Sequence, residues 1–196
     1  MSADSQSIRE RQVEEFVRNL SGLDDGERAR FKRNAGKTIA ESRNAQLLFY
    51  RRVLPRGVST WQEERYFLLA TLYPLDRRQR ERDRQAVRRV DEAAEPPITG
   101  GKSLGQSFRG ARTARNESGL DRRFARLLDA GIDDISFQLR QAIMRLSADH
   151  APINWAQLTR DILAWDHPSR YVQRNWARDY VAADSQEQEP QPNSIS

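Results

Sequence analysis

The chain has 196 residues, of which 37% are hydrophobic and 31% charged, and its formal net charge is +5. This length accommodates one domain of ordinary size or two small helical ones. Cysteine is absent, which excludes disulfides, thiolate catalysis and zinc sites built on sulfur. No apolar run approaches the ~20 residues that span a bilayer, and the N-terminus lacks the apolar core of a signal peptide. We therefore expect a cytoplasmic protein with no membrane partner.

The basic residues are almost all arginine. Only three of the 33 basic side chains are lysines, namely Lys32, Lys37 and Lys102. The planar guanidinium matches phosphate and stacks on bases, so this composition favours a nucleic-acid or nucleoprotein partner. The alternative is that a GC-rich genome supplies arginine as ordinary surface charge.

Residues 8–74 predict an N-terminal helical bundle. An apolar stripe closed by Gly22 indicates the first helix, and Asp24 is a suitable N-cap for the second. A third helix is predicted from Thr38 to Leu54. Ser59 then begins a capping-box pattern, and the most apolar run of the chain follows it, which predicts a helix at the centre of the bundle.

Residues 75–102 differ sharply in composition, because charges of both signs alternate there with almost no apolar periodicity. Arg77 to Arg89 can form a helix through charge pairs one turn apart, but the pattern offers nothing to bury. We therefore expect a mobile charged linker or insertion. A basic arm that becomes ordered on nucleic acid is the alternative.

Residues 103–180 predict a second helical bundle. Ser103 begins its first helix, Asn154 caps a later one and Ser169 is the expected cap of the last. No segment shows the alternation of a β-strand, so the fold class is all-α: two small helical bundles joined by a charged linker. Residues 1–7 and the low-complexity tail at 181–196 are expected to be disordered.

Two consecutive helices inside the second bundle combine a core face with a basic face. In the first, Leu120, Phe124, Leu127 and Leu128 recur at helical spacing, while Arg122, Arg123 and Arg126 fall on the other sides. Gly131 is expected to end this helix in a left-handed conformation. In the next helix, Arg140 and Arg145 lie off the predicted buried stripe, which is formed by Ile135, Leu139, Ala142, Ile143 and Leu146.

No combination of residues predicts catalysis. His150 and His167 both fall in turn-like segments and are expected to be ordinary surface residues. The acidic pairs that begin at Asp24 and Asp133 stand at helix starts, where capping explains them. No nucleophile, base and orienting group can be named together, so we expect no enzyme, no metal and no cofactor.

The second bundle contains the sequence blocks SLGQSFRGAR, LDRRFARLLDAG, LRQAIMRL, NWAQLTRDILAW and RNWARDY. Together these five blocks resemble the CasB family, the small subunit of the type I-E CRISPR surveillance complex Cascade. The N-terminal half resembles the family more loosely, at LDDGERARFKR, FYRRVLP and WQEERYFLLATLY. The resemblance covers about residues 23–180. The charged insertion at 77–95 is longer than expected for the family, so no role is carried over to its arginines.

This resemblance implies a non-catalytic helical protein present in two copies in the complex, in contact with the backbone subunits and the large subunit. It further implies help in holding the target DNA strand, paired with the guide RNA, and the displaced strand in an R-loop during antiviral defence. By position in the motifs, Arg122, Arg123 and Arg140 are expected on the DNA-facing surface. Packing roles are expected for Leu120, Phe124, Leu127, Leu128, Trp155 and Trp176. The remaining candidate nucleic-acid contacts are Arg109, Arg112, Arg126, Arg145 and Lys102.

Two other functions stay open at this point. Residues 120–130 and 134–147 can form the two helices of a helix-turn-helix regulator that binds a specific DNA sequence. Against this, Asp133 and Asp134 would meet phosphates at the start of the recognition helix. A protein scaffold whose arginines contact acidic protein surfaces is the third possibility.

Overall fold

The computed structural model describes the backbone of residues 3–88 and 103–182, and this part of the chain is built from α-helices without a β-strand. The all-α prediction is therefore confirmed. The helices are α1 (Ala3–Ser21), α2 (Asp25–Lys32), α3 (Arg43–Leu48), α4 (Thr60–Leu72), α5 (Arg77–Arg88), α6 (Leu104–Gly110), α7 (Glu117–Asp129), α8 (Ile135–Ala148), α9 (Trp155–Leu163) and α10 (Tyr171–Val181). The tail after residue 182 and the first two residues lie outside the described part.

The central helix of the N-terminal half is α4, as its composition predicts. Every residue from Tyr66 to Tyr73 is buried, and Phe67 makes edge-to-face contacts with Phe31 of α2 and with Phe49. Aromatic pairs of this geometry add about 0.5–1.5 kcal/mol beyond the burial of their area. This helix therefore organises the packing of the elements before it.

Helix starts in the N-terminal half differ in part from the predictions. Asp24 caps α2 in a capping box with Glu27, as expected. Residues 3–7, expected to be disordered, are helical and extend α1. The third helix begins at Arg43 and not at Thr38, because Thr38 and Glu41 bond to each other in a local turn that competes with helix formation. At Ser59 the hydroxyl donates to the Gln62 side chain and does not accept a backbone bond, so no capping box forms there.

In the C-terminal half two helices end or begin near the predicted residues, but the predicted conformation of Gly131 and the predicted cap at Ser169 are wrong. Gly131 is not left-handed, because the chain already leaves the helix at Ala130, which is extended. The Ala130 carbonyl accepts a bond from the Trp165 indole at 2.9 Å, so side chains satisfy the end of α7 without a glycine turn. Ser169 does not cap α10: its hydroxyl lies 2.9 Å from Nδ1 of His167, and Arg170, with φ 48°, is the N-cap.

Helix α5 contradicts the expectation that residues 77–89 have nothing to bury. The Asp83 carboxylate is 6% exposed and accepts a bond from Arg28 at 2.8 Å and one from the Tyr73 hydroxyl at 2.9 Å. Arg28 is also buried and donates to two backbone carbonyls near the end of α1. One of the alternating charges of this segment, Asp83, therefore forms a buried ion pair with Arg28, and this pair holds α5 against the N-terminal helices.

Residues of both predicted bundles contribute to one hydrophobic cluster. Polar bonds also join the two halves. The Trp155 indole donates to Asp76 at 3.0 Å, and the Arg65 guanidinium donates to the Leu163 carbonyl at 2.7 Å. The two halves therefore pack on each other through a shared core. The domain boundaries predicted at residues 74, 102 and 180 stay predictions.

Candidate nucleic-acid interface

Helices α7 and α8 lie side by side because each buries one apolar stripe and leaves the rest of its surface polar. On α7 the buried residues are Leu120, Phe124 and Leu127, and Leu128 is only partly buried. On α8 all five predicted stripe residues are buried. Phe124 packs on Phe108 of α6 with ring centroids 5.0 Å apart, which places α6 behind the pair. The stripes therefore point both sets of exposed arginines away from the core.

A groove of about 470 Å³ runs between α7 and α8. Four predicted contact residues line it: Arg122, Arg123 and Arg126 from α7, and Arg145 from α8. Helical geometry places residues three and four apart on one face, so the three α7 arginines form one wall. The structure thus brings half of the eight candidates together in a single concave surface.

The arginines of the α7 wall are not neutralised by acidic side chains. Within residues 6–85 and 103–182, no carboxylate lies within 4 Å of the guanidinium groups of Arg122, Arg123 or Arg126, and all three are exposed. Arg122 donates only to the Ser118 carbonyl one turn earlier, at 3.2 Å. Arg145 differs, since its Nε lies 2.8 Å from the Asp149 carboxylate. Walls of one charge sign concentrate anions in a groove.

Arg109 and Arg112 lie elsewhere, near the end of α10. Arg109 donates to the carbonyls of Asp179 and Ala182, at 3.2 and 3.0 Å. Arg112 pairs with Glu117 and lies over the Tyr180 ring, 5.5 Å from its centroid. These contacts join α6 and α7 to α10, so both arginines already have structural partners.

Tyr180 is held in the same cluster by the Asp121 carboxylate, which accepts its hydroxyl. Burial is the main cause that raises the pKa of Tyr180, and the hydrogen bond to Asp121 raises it further. The phenol is therefore neutral and acts as a donor that fixes α10 on α7.

Arg140 is exposed but projects from the side of α8 opposite Arg145. Its side chain lies against the turn at Gly36, whose φ is +82°: the Arg140 Cδ is 3.5 Å from the position a Cβ would occupy there. Lys37 follows that glycine in the chain. Arg140 therefore belongs to the junction with the N-terminal half and not to the groove. Lys102, the last candidate, lies outside the described residues.

Sequence reasoning missed three groove residues, namely Phe137, Gln138 and Gln141 on α8. Phe137 is 60% exposed, although phenylalanine is usually buried. A signal was available, because position 137 falls off the stripe that contains Ile135 and Leu139. An aromatic residue outside the predicted core face of an amphipathic helix is a candidate for contact with a partner.

The SLG block supports the groove from behind. Ser103 caps α6 in a capping box with Gln106, and Gly105 allows α6 to approach α10 so closely that a Cβ there would lie 2.2 Å from the Trp176 carbonyl oxygen. Trp155 and Trp176 are buried, in agreement with their expected packing roles. Trp61 is 59% exposed and lies under the Arg65 guanidinium, so this tryptophan is not part of the buried core.

Neither a metal site nor a membrane-spanning helix is found in the described parts of the chain. No group of three or more His, Asp or Glu side chains there is arranged to hold a metal ion. None of the helices in those parts combines the length and the apolar character that crossing a membrane requires.

Comparison with known proteins places this architecture in a family. A family model for the CRISPR-associated protein Cse2 matches residues 27–180. A CRISPR-associated protein Cse2 from Thermus thermophilus is 34% identical over 130 residues. The match spans 65% of this chain and 63% of that relative, which is less than two thirds of the relative's length.

Solved structures show the same fold. The crystal structure of M. ruber CasB superposes with a TM-score of 0.63 at 24% identity, over 86% of this chain and 91% of the other. A chain of a CRISPR RNA-guided surveillance complex, pre-nicking, gives a TM-score of 0.69 at 21% identity, over 87% and 92%. The family model covers most of the chain, from α2 to the last turn of α10, so the protein belongs to the Cse2 (CasB) family of CRISPR-associated proteins.

Proposed function

We propose that this protein is a non-catalytic subunit of a type I-E CRISPR RNA-guided surveillance complex and that it stabilises the R-loop. In this proposal it contacts the backbone subunits, the large subunit and a second copy of itself. Its arginine faces hold the target strand, which is paired with the guide RNA, and the displaced strand. Membership of the Cse2 family and the fold shared with a chain of such a complex support the proposal.

The observation that carries the DNA-binding part is the α7 wall of the groove. Three exposed guanidinium groups face one concave surface with no carboxylate within 4 Å in the described residues. Because no carboxylate holds these three groups in the described residues, a phosphate can bind them without breaking an ion pair. An unpaired row on a rigid helix is suited to phosphates.

The energetics of strand exchange make such a surface sufficient. The guide–target duplex is about as stable as the DNA duplex it replaces, so modest contacts to the strand backbones shift the balance. Phosphate contacts do not read sequence, which a complex guided by RNA requires. Each contact to a single strand should contribute about −0.7 to the slope of log affinity against log salt concentration.

The test compares R-loop formation by a surveillance complex assembled with the wild-type subunit and with R122E/R123E. We expect the variant to enter the complex and to weaken strand opening, with a smaller salt slope. The matched control is R174E/R178E on α10, which changes the net charge equally on two exposed arginines outside the groove that have no carboxylate within 4 Å in the described residues. Equal R-loop stability for both variants after full incorporation would remove the groove from the proposal.

The helix-turn-helix alternative predicts a different result. It requires strong preference for one DNA sequence, in the absence of guide RNA, and it depends on the N-terminal end of α8. Asp133 and Asp134 are exposed at that end, where they would repel phosphates. Binding of the isolated protein to random and palindromic duplexes separates the two functions.

A further inference from the structure

The groove contains an exposed aromatic ring among its arginines. Phe137 is 60% exposed on α8 and faces the same cavity as Arg122, Arg123 and Arg126. A ring that is mostly exposed gains less than half of the free energy that its full burial would contribute to folding. The side chains of Gln138 and Gln141, which line the cavity beside it, offer amide donors and acceptors.

We propose that Phe137 is a stacking platform for an unpaired base, so that the groove binds single-stranded DNA in preference to a duplex. The inference rests on the proposed function and names the ligand class of that site. The α7 arginines hold the phosphates of the strand, and one base lies on the Phe137 ring. Gln138 and Gln141 are placed to bond sugar or base edges without requiring a particular sequence.

Charge and shape favour this occupant. Proteins that bind single strands without sequence preference combine a positively charged groove with exposed aromatic rings, since every base has a π-face that can stack. In a duplex the base faces are covered by their neighbours, and only the phosphates would meet this surface. A protein partner would have to bring acidic side chains to the arginines of the groove. It would offer no base to stack on the Phe137 ring.

A second exposed apolar side chain of α8 lies just beyond the residues that line the groove. Met144 is 45% exposed and stands seven residues after Phe137, which places it on nearly the same face of α8, about 10 Å further along the helix. Arg145 is the neighbouring residue and lines the groove. A strand that leaves the groove along α8 would therefore pass a second exposed apolar side chain.

The experiment measures the affinity of the full chain for two fluorescent oligonucleotides of equal length, an oligothymidylate and a strand whose central positions are abasic. Both have the same phosphates, and only the first has bases at those positions. For F137A we expect about a tenfold loss of affinity for oligothymidylate and no change for the abasic strand, because stacking is worth about 1–3 kcal/mol per base. F137W should retain the wild-type preference. Y171A, which alters an exposed tyrosine outside the groove, should behave as the wild type.

Each other outcome overturns the inference. Equal losses on both strands would mean that Phe137 supports the arginines and does not stack. No loss on either strand, with poorer entry of F137A into the complex, would identify a protein contact. If F137A has no effect while R122E/R123E weakens binding to both strands, the stacking inference fails and the proposed function stands. If the wild type binds neither strand and R122E/R123E leaves R-loop formation unchanged, both fail.

Discussion

The contact between α6 and α10 allows a sharp prediction for Gly105→Ala. An added Cβ would lie 2.2 Å from the carbonyl oxygen, 2.9 Å from the carbonyl carbon and 3.0 Å from the Cα of Trp176. All three atoms belong to the backbone, so no rotamer change relieves the overlap. To reach 3.4 Å, where ordinary contact begins, the two helices must separate locally by about 1.2 Å.

The expected cost follows from what this separation disrupts. Overpacking in a well-packed core costs about 1–3 kcal/mol, and a clash with rigid backbone belongs at the upper end. A loss of about 3 kcal/mol lowers the melting temperature of a chain of this size by roughly 6–12 °C. The same shift moves Phe108, which packs under α7, so the α7 wall should be disturbed as well. Thermal and urea unfolding measure the first effect, and oligonucleotide binding below the transition measures the second.

The control lies in the same helix. At Gly110, the last residue of α6, no atom from another part of the described chain lies within 4 Å of the position that an added Cβ would take. Gly110→Ala should therefore leave stability unchanged or raise it by up to about 1 kcal/mol, through the lower entropy of the unfolded chain. A Gly105→Ala protein as stable as the Gly110→Ala protein would refute the close-approach argument.

Three more predictions concern buried and exposed polar groups. Asp83→Ala leaves the Arg28 guanidinium buried without its carboxylate partner and should lower the free energy of unfolding in urea by about 3–5 kcal/mol. Loss of the exposed pair between Arg84 and Asp25 should cost under about 1 kcal/mol. Equal costs would contradict the importance of the buried pair. Burial raises the pKa of Asp161 above its ordinary value of 3.8, so the stability this group contributes is present below that pH and is lost as pH rises through the folded-state pKa. Asparagine does not titrate, so the free energy of unfolding of Asp161→Asn minus that of the wild type should be lowest at acid pH and should rise with pH. A value of this difference that stays constant from about pH 3 to 6 would contradict the prediction. Trp61→Ala should cost under about 1 kcal/mol, because the ring is 59% exposed, and a loss typical of a core tryptophan would be the opposite result.

The sequence predicted well where one periodic pattern determines the structure. All five residues of the stripe from Ile135 to Leu146 are buried, because burial on one side of a long helix leaves a strong signal, and of the buried residues of α8 only the polar Ser147 was not predicted. The same reasoning placed three α7 arginines on the outer face. Their meeting with Arg145 across one groove depends on how two helices pack, which spacing along a single helix does not contain.

The errors occur where distant residues determine local structure. Asp83 is one of many charges in its segment, and what distinguishes it is its contact with Arg28, 55 positions earlier, together with the bond from the Tyr73 hydroxyl. The end of α7 depends on the Trp165 indole, 35 positions later. Local rules for caps and turns cannot detect such partners. Arg109 and Arg112 were separated from the groove for the same reason, since residues of α10 and the start of α7 hold them.

The bonds that join the two halves have a mechanical consequence. Asp76 accepts the Trp155 indole, and the Ser147 hydroxyl donates to the Leu75 carbonyl and accepts from the Arg77 amide, so the chain segment between α4 and α5 is fastened to α8 and α9. A hinge at this point would have to break these bonds together. We therefore expect the two halves to move as one rigid body. A force applied at the groove should then be transmitted to α4 without bending between the halves.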